Sequence, residues 1–239
     1  MPGTADSGSI SFRMTGISVE ASKLEKVLYY GSGRLRGGVL RSEEEINGVF
    51  CRKGSWVWLH SNGVTSSIEA VQDTRIDGVV CRGGMRIYFH ENGGLMKCNI
   101  PADCNVKGVP LRCDTFLLFH ANGVLYAGRL AKDIAYQGIP CKEGKWIGFY
   151  DDNSLKRCFL AEDIIRDSVP LAGGCWVCFH RSGAIDSYKV PAETVVHGVA
   201  CGKGDILLFD ENGRLSEKVR PPDKAVQNGL INSQQRRRV

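Results

Sequence analysis

Apolar residues in this chain follow two periods at once. The short period is two: Val57 with Leu59, Ile87 with Phe89, Leu117 with Phe119, Ile147 with Phe149 and Val177 with Phe179. Such alternation places both members of each pair on one face of a strand. The long period is thirty. The second member of each pair falls at Tyr29, Leu59, Phe89, Phe119, Phe149, Phe179 and Phe209, every interval being 30 over seven copies. The first member keeps the same register from Val27 to Leu207.

A turn follows each pair. Its last position reads Gly33, Gly63, Gly93, Gly123, Asn153, Gly183 and Gly213, preceded by Ser32, Asn62, Asn92, Asn122, Asp152, Ser182 and Asn212. Asn-Gly between apolar runs predicts a hairpin with a type I′ turn, which needs positive φ at both central residues. A second strand follows, such as Leu95 to Ile100 or Leu125 to Leu130, then an acidic loop and one short strand such as Ile76 to Cys81. No segment shows a sustained helical period.

One unit buries about five apolar side chains at roughly 1.5–3 kcal/mol each, while ordering its backbone costs about 1–2 kcal/mol per residue. A lone unit therefore cannot fold, and stacking is compulsory. The predicted fold is all-β: tandem 30-residue β-hairpin repeats stacked as a solenoid-like or rolled antiparallel sheet, with a closed barrel or propeller as the alternative. Residues 1–16 read as an N-terminal cap, 17–223 as a single repeat domain of about seven units, and 224–239 as a polar, basic tail.

Composition narrows the function classes. At 43% apolar and 24% charged residues the chain is globular. Three of its five net positive charges come from Arg236, Arg237 and Arg238, so the body is near neutral and no specific nucleic-acid partner is expected. No apolar run reaches the length of a membrane span, leaving only peripheral membrane contact. The first residues lack a basic-then-apolar signal, which predicts a cytoplasmic location.

Four recurring positions could carry chemistry. His60, His90, His120 and His180 share one, completed by Tyr30, Tyr150 and Asp210. The phenols argue against a repeated metal site; the simpler reading is a hydrogen-bonding flank to the hairpin. An acidic position reads Glu43, Asp73, Asp103, Asp133, Asp163, Glu193 and Asp223, best explained as a turn cap. Cys51, Cys81, Cys141 and Cys201 alternate with Leu111 and Leu171, so the thiol serves as a small hydrophobe. A basic row, Arg52, Arg82, Arg112 and Lys142, ends at Ala172 and Gly202 and reads as a solvated rim.

The outward phase of the first strand is unusually apolar. It holds Trp56, Trp58, Tyr88, Phe116, Trp146 and Trp176, and thus all four tryptophans. A sheet with one wet face would place polar residues there, so burial is expected, with an aromatic binding face as the other reading. Together with His60, His90, His120, Tyr150 and His180 these residues form the candidate binding set. No metal or cofactor is expected, and no catalytic residue can be assigned.

The repeated Phe89-His90-Glu91-Asn92-Gly93-Gly94-Leu95 resembles the hairpin repeats of bacterial MORN-like proteins and is similar to that of YwqK-type antitoxin repeat proteins. The resemblance covers residues 27–215 as a hairpin motif and implies a β-hairpin scaffold used for protein or membrane-surface interaction. The leading expectation is therefore a non-catalytic scaffold for protein–protein interaction, or for self-assembly through open sheet edges. The rival is a lyase, isomerase or cyclase for an apolar small molecule. It would use an aromatic pocket with His or Asp acid–base groups near the irregular positions Arg86, Cys113-Asp114, Tyr150, Arg166 and Asp210.

Overall fold

The computed structural model describes residues 19–113 and 115–220; the expected cap at 1–16, Asp114 and the tail at 224–239 lie outside the described residues. Apart from a short 3-10 helix at Ala21–Lys23, every regular element is a strand. Fourteen strands form one antiparallel sheet in strict sequence order, from Leu24–Tyr29 and Leu35–Leu40 to Ile206–Phe209 and Leu215–Val219. Among the described residues the first and last strands are edges, so the sheet is an open repeat sheet and not a closed barrel or propeller. Trp56–Leu59 pairs with Thr65–Glu69, which in turn pairs with Arg86–Phe89 of the following unit. The described residues fall into two compact units: those up to Ala102 with Cys113–Gly123, and Asp103–Arg112 with those from Val124 onward.

The segment expected as one short strand is a second hairpin. Thr74–Ile76 pairs with Val79–Cys81 across Asp77-Gly78, whose φ values are 48° and 81°. Positive φ at both positions recurs at Asn47-Gly48, Lys107-Gly108, Gln137-Gly138, Asp167-Ser168 and His197-Gly198. The type I′ geometry expected of the long hairpin is found here instead. In the long hairpin Gly63 has φ 89° while Asn62 keeps negative φ. Gly63 donates its N–H to the His60 carbonyl at 2.9 Å, and His60 donates to the Val64 carbonyl at 2.7 Å. This is a type I turn closed by a glycine bulge, and it shifts the strand register between Trp58 and Leu59.

Burial falls on two sets of side chains, and the core lies between them. One is the inner phase of the sheet, including Val57, Leu59, Ile68, Ile87, Phe89 and Phe149, all at most 2% exposed. The other is the inner phase of the short hairpins, such as Ile46, Val49, Ile76 and Val79. Cys51, Cys81 and Cys141 are fully buried beside the equivalent Leu111 and Leu171, as expected of a small hydrophobe. Burial pushes the Cys51 thiol up to about 11. The neighbouring Cys141 thiol, followed by burial, pushes Cys158 far above the ordinary range.

The first copy departs from the pattern. Lys26 takes φ 50° and the pairing slips between Glu25 and Leu28. Tyr29, expected in the core, is 56% exposed, although its pairing with Leu35 keeps the register of the later copies. At the other end the strand Leu215–Val219 carries exposed Ser216, Glu217 and Lys218.

Candidate functional site

The histidine position is a clamp between successive repeats. His60 Nε2 lies 2.9 Å from the Phe89 carbonyl, His90 Nε2 2.9 Å from that of Phe119, and His180 Nε2 2.9 Å from that of Phe209. A carbonyl only accepts, so Nε2 carries the proton in each. Tyr30 and Tyr150 do the same with their hydroxyls, to Leu59 at 2.7 Å and Phe179 at 3.0 Å. The backbone explains the need. Pairing with the preceding strand stops at Ser67 with Tyr88, so the Phe89 carbonyl lies beyond its last ladder partner and takes a side chain instead. In the last unit Asp210 replaces the ring and accepts the N–H groups of Asn212 and Arg214 in its own loop.

Turn side chains add further links. Asn62 accepts the Val64 N–H and donates to the Glu91 carbonyl, and Asn92 repeats the pattern with Gly94 and Ala121. A position that the sequence reading passed over also proves structural. Asp77, Gln137, Asp167 and His197, all first residues of the short type I′ turns, each accept the N–H that opens a later strand, at Leu95, Leu155, Ile185 and Leu215. Its signal was available: a pair spaced by thirty whose second member is Gly, or Ser168 in one copy.

The acidic position caps a more distant turn than expected. Asp73 and Asp163 accept the N–H groups of Gly83 and Gly173 at 2.8 and 2.7 Å, ten residues on, and Asp133 accepts that of Glu143. The approach is close, since a Cβ on Gly83 would lie 2.6 Å from the Gln72 backbone. At the same site in two other copies, Glu43 and Glu193 are exposed and precede Lys53 and Lys203.

The outer sheet phase is neither covered nor bare. Trp56, Trp58, Tyr88, Phe116, Trp146 and Trp176 are all half-buried, which corrects the expectation of burial. Trp56 and Trp58 stack at 5.1 Å, and Phe159 meets Trp176 edge-on at 4.9 Å. Cations complete the shielding. Lys97 Nζ sits 4.3 Å from the Phe116 centroid and 5.5 Å from that of Tyr88, while Arg36 bridges Tyr30 and Trp58. In the second unit Arg157 lies over Tyr126 and Trp176, Lys156 over Tyr126 and Tyr150, and Lys145 over Phe159. Each such contact contributes about 0.5–1 kcal/mol at an exposed site.

The described irregular positions mostly serve as hydrogen-bonding groups of the fold. Arg166 donates twice to the Gly183 carbonyl, Arg86 reaches the Ser67 hydroxyl, and Tyr150 is one of the clamps. His180 comes 3.7 Å from Asp186, on the open sheet face, with the same nitrogen that holds Phe209. A cleft of about 500 Å³ lies on the opposite, short-hairpin side of the second unit. It is lined by Ile164, Ile165, Pro170 and Tyr188, with Asp163 and Glu193 at its border and no histidine. Asp163 is spent on Gly173, and the Tyr188 hydroxyl accepts the Ala172 N–H. Among the described residues, no three His, Cys, Asp or Glu side chains gather as a metal group. No protein-family model matches the chain, and no curated protein matches it either.

Proposed function

We propose that the chain is a non-catalytic repeat scaffold that presents the outer face of its sheet to a macromolecular partner. One observation carries this reading. The recurring histidines and tyrosines that could have served as acid–base groups hold the carbonyls of the next repeat, whereas rings and cations of the outer phase recur half-exposed in both units. The resemblance of the hairpin motif to MORN-like repeats points the same way. The sheet edges are poorer candidates: a bulge at Lys26 blunts one and the charged Glu217 and Lys218 the other, both features that oppose strand addition.

Photo-crosslinking side chains tell the faces apart. Placed at Cys178, Ser187 or Leu208 on the outer phase, they should yield adducts with a macromolecule in cells that express the chain. At Ala135 or Val195 on the short hairpins they should not. Equal labelling of both sets would refute the proposal, as would turnover of a small molecule by the purified chain.

A further inference from the structure

We infer that the outer sheet face of the second unit binds single-stranded nucleic acid without sequence preference, stacking bases on its rings and holding phosphates on its cations. This identifies the partner left open by the scaffold reading and rests on it. Each nucleotide offers one planar ring and one negative charge, and proteins that bind single strands answer with aromatic platforms set among Lys and Arg. The face has that composition. Trp146, Phe159 and Trp176 share one row, given by the pairing of Phe159 with Trp176 and by that of Gly148 with Arg157 two residues along.

Lys145, Lys156 and Arg157 are placed with the rings, while Arg181, 4.6 Å from the Tyr150 centroid, pairs with Asp151 and Asp152. Lys145 is 5.3 Å from the Phe159 centroid, Lys156 5.0 Å from that of Tyr150, and Arg157 5.5 Å from that of Trp176 and 5.8 Å from that of Tyr126. Arg157 is also seated from below. It lies across Gly148, where a Cβ would come within 2.9 Å of its Cγ and Nε. Other copies carry Trp58, Tyr88, Leu118, Cys178 and Leu208 at that position, so the glycine opens room for the Arg157 side chain between two rings. Lys145, Lys156 and Arg157 thus stand together among the rings, with Asp186 as a carboxylate of the same face beside His180.

The test is fluorescence anisotropy with labelled oligothymidylate and oligouridylate and the full-length chain. Both should bind, with log K falling against log salt by about 0.7 for each phosphate neutralised. Trp176→Ala and Lys156→Glu should each weaken binding about fivefold or more, with the urea midpoint verifying that they remain folded. Gly148→Leu, which displaces Arg157 while keeping every ring and charge, should weaken it too. Replacing Arg236, Arg237 and Arg238 together by Gln should leave most of the affinity. The inference is overturned if polyglutamate binds as tightly as the oligonucleotides, if the folded Trp176 and Lys156 variants bind like the parent, or if the tail substitutions abolish binding. In any of those cases protein adducts at Cys178 or Leu208 would leave the scaffold reading standing.

Discussion

His90→Phe and His90→Tyr separate the inter-repeat hydrogen bond from the ring that carries it. His90 Nε2 donates to the half-sheltered Phe119 carbonyl at 2.9 Å. The bond itself is worth about 0.5–1.5 kcal/mol net, and a buried carbonyl left without a donor costs about 1–3 kcal/mol. Since this contact is only partly buried, His90→Phe should cost about 1–2 kcal/mol. With a urea slope of about 2 kcal/mol/M, the midpoint should fall by about 0.5–1 M. His90→Tyr should recover most of that loss, because Tyr30 and Tyr150 make the same bond in their own copies. Urea unfolding followed by both circular dichroism and tryptophan fluorescence is the assay, the two probes checking that the array unfolds together. A Phe variant as stable as the parent, or a Tyr variant as weak as the Phe one, would refute the clamp.

Core and surface should respond very differently: Phe149→Ala, at 1% exposure, should cost about 3–5 kcal/mol, and Ile165→Ala, at 81%, within about 0.5 kcal/mol. Gly83→Ala should destabilise by about 1–3 kcal/mol, because its new Cβ meets the Gln72 backbone; an unchanged midpoint would contradict that contact. Acid should weaken the fold in a defined window. The Arg220 guanidinium and the Gly202 N–H hold the buried Asp205 carboxyl below its usual range, and the Ser154 hydroxyl and N–H hold Asp152 at about 2. Both contribute stability that is complete above the unfolded carboxylate value near pH ~4 and lost as pH falls through the lower native values. Urea midpoints should therefore drop below that pH, and less so in Asp205→Asn. Alkylation at pH 8 should label Cys104, Cys113, Cys175 and Cys178 before Cys51, Cys81, Cys141 and Cys158, the latter group reacting only on unfolding; mass spectrometry reads the order.

The sheet could be read from the chain because period-2 burial at Val57 and Leu59 and the spacing of thirty express the same backbone geometry in every copy. The short hairpin was missed although Asp77-Gly78 announces it, because Ile76 to Cys81 looks like one apolar strand when the turn residues within it are ignored. The turn type was misread for a related reason. Asn62 was credited with left-handed backbone, whereas its value lies in its side chain, which joins Val64 to Glu91. Histidine, tyrosine and aspartate at one position looked like a loosely specified flank. The partners of the histidines and tyrosines lie 29 residues away, and only the stacked structure shows the rings as equivalent donors. Half-burial of the tryptophans was beyond a binary pattern, since Lys and Arg stems do the covering.

The ring clamp points one way only. Each donor reaches forward to the next copy, so the leading and trailing ends of the array are chemically unlike, and Asp210 marks where forward reach ceases. Replacing Asp210 by His or Tyr would restore at this position the forward donor that the other copies carry. The array therefore has a direction, given by the side on which each ring finds its carbonyl.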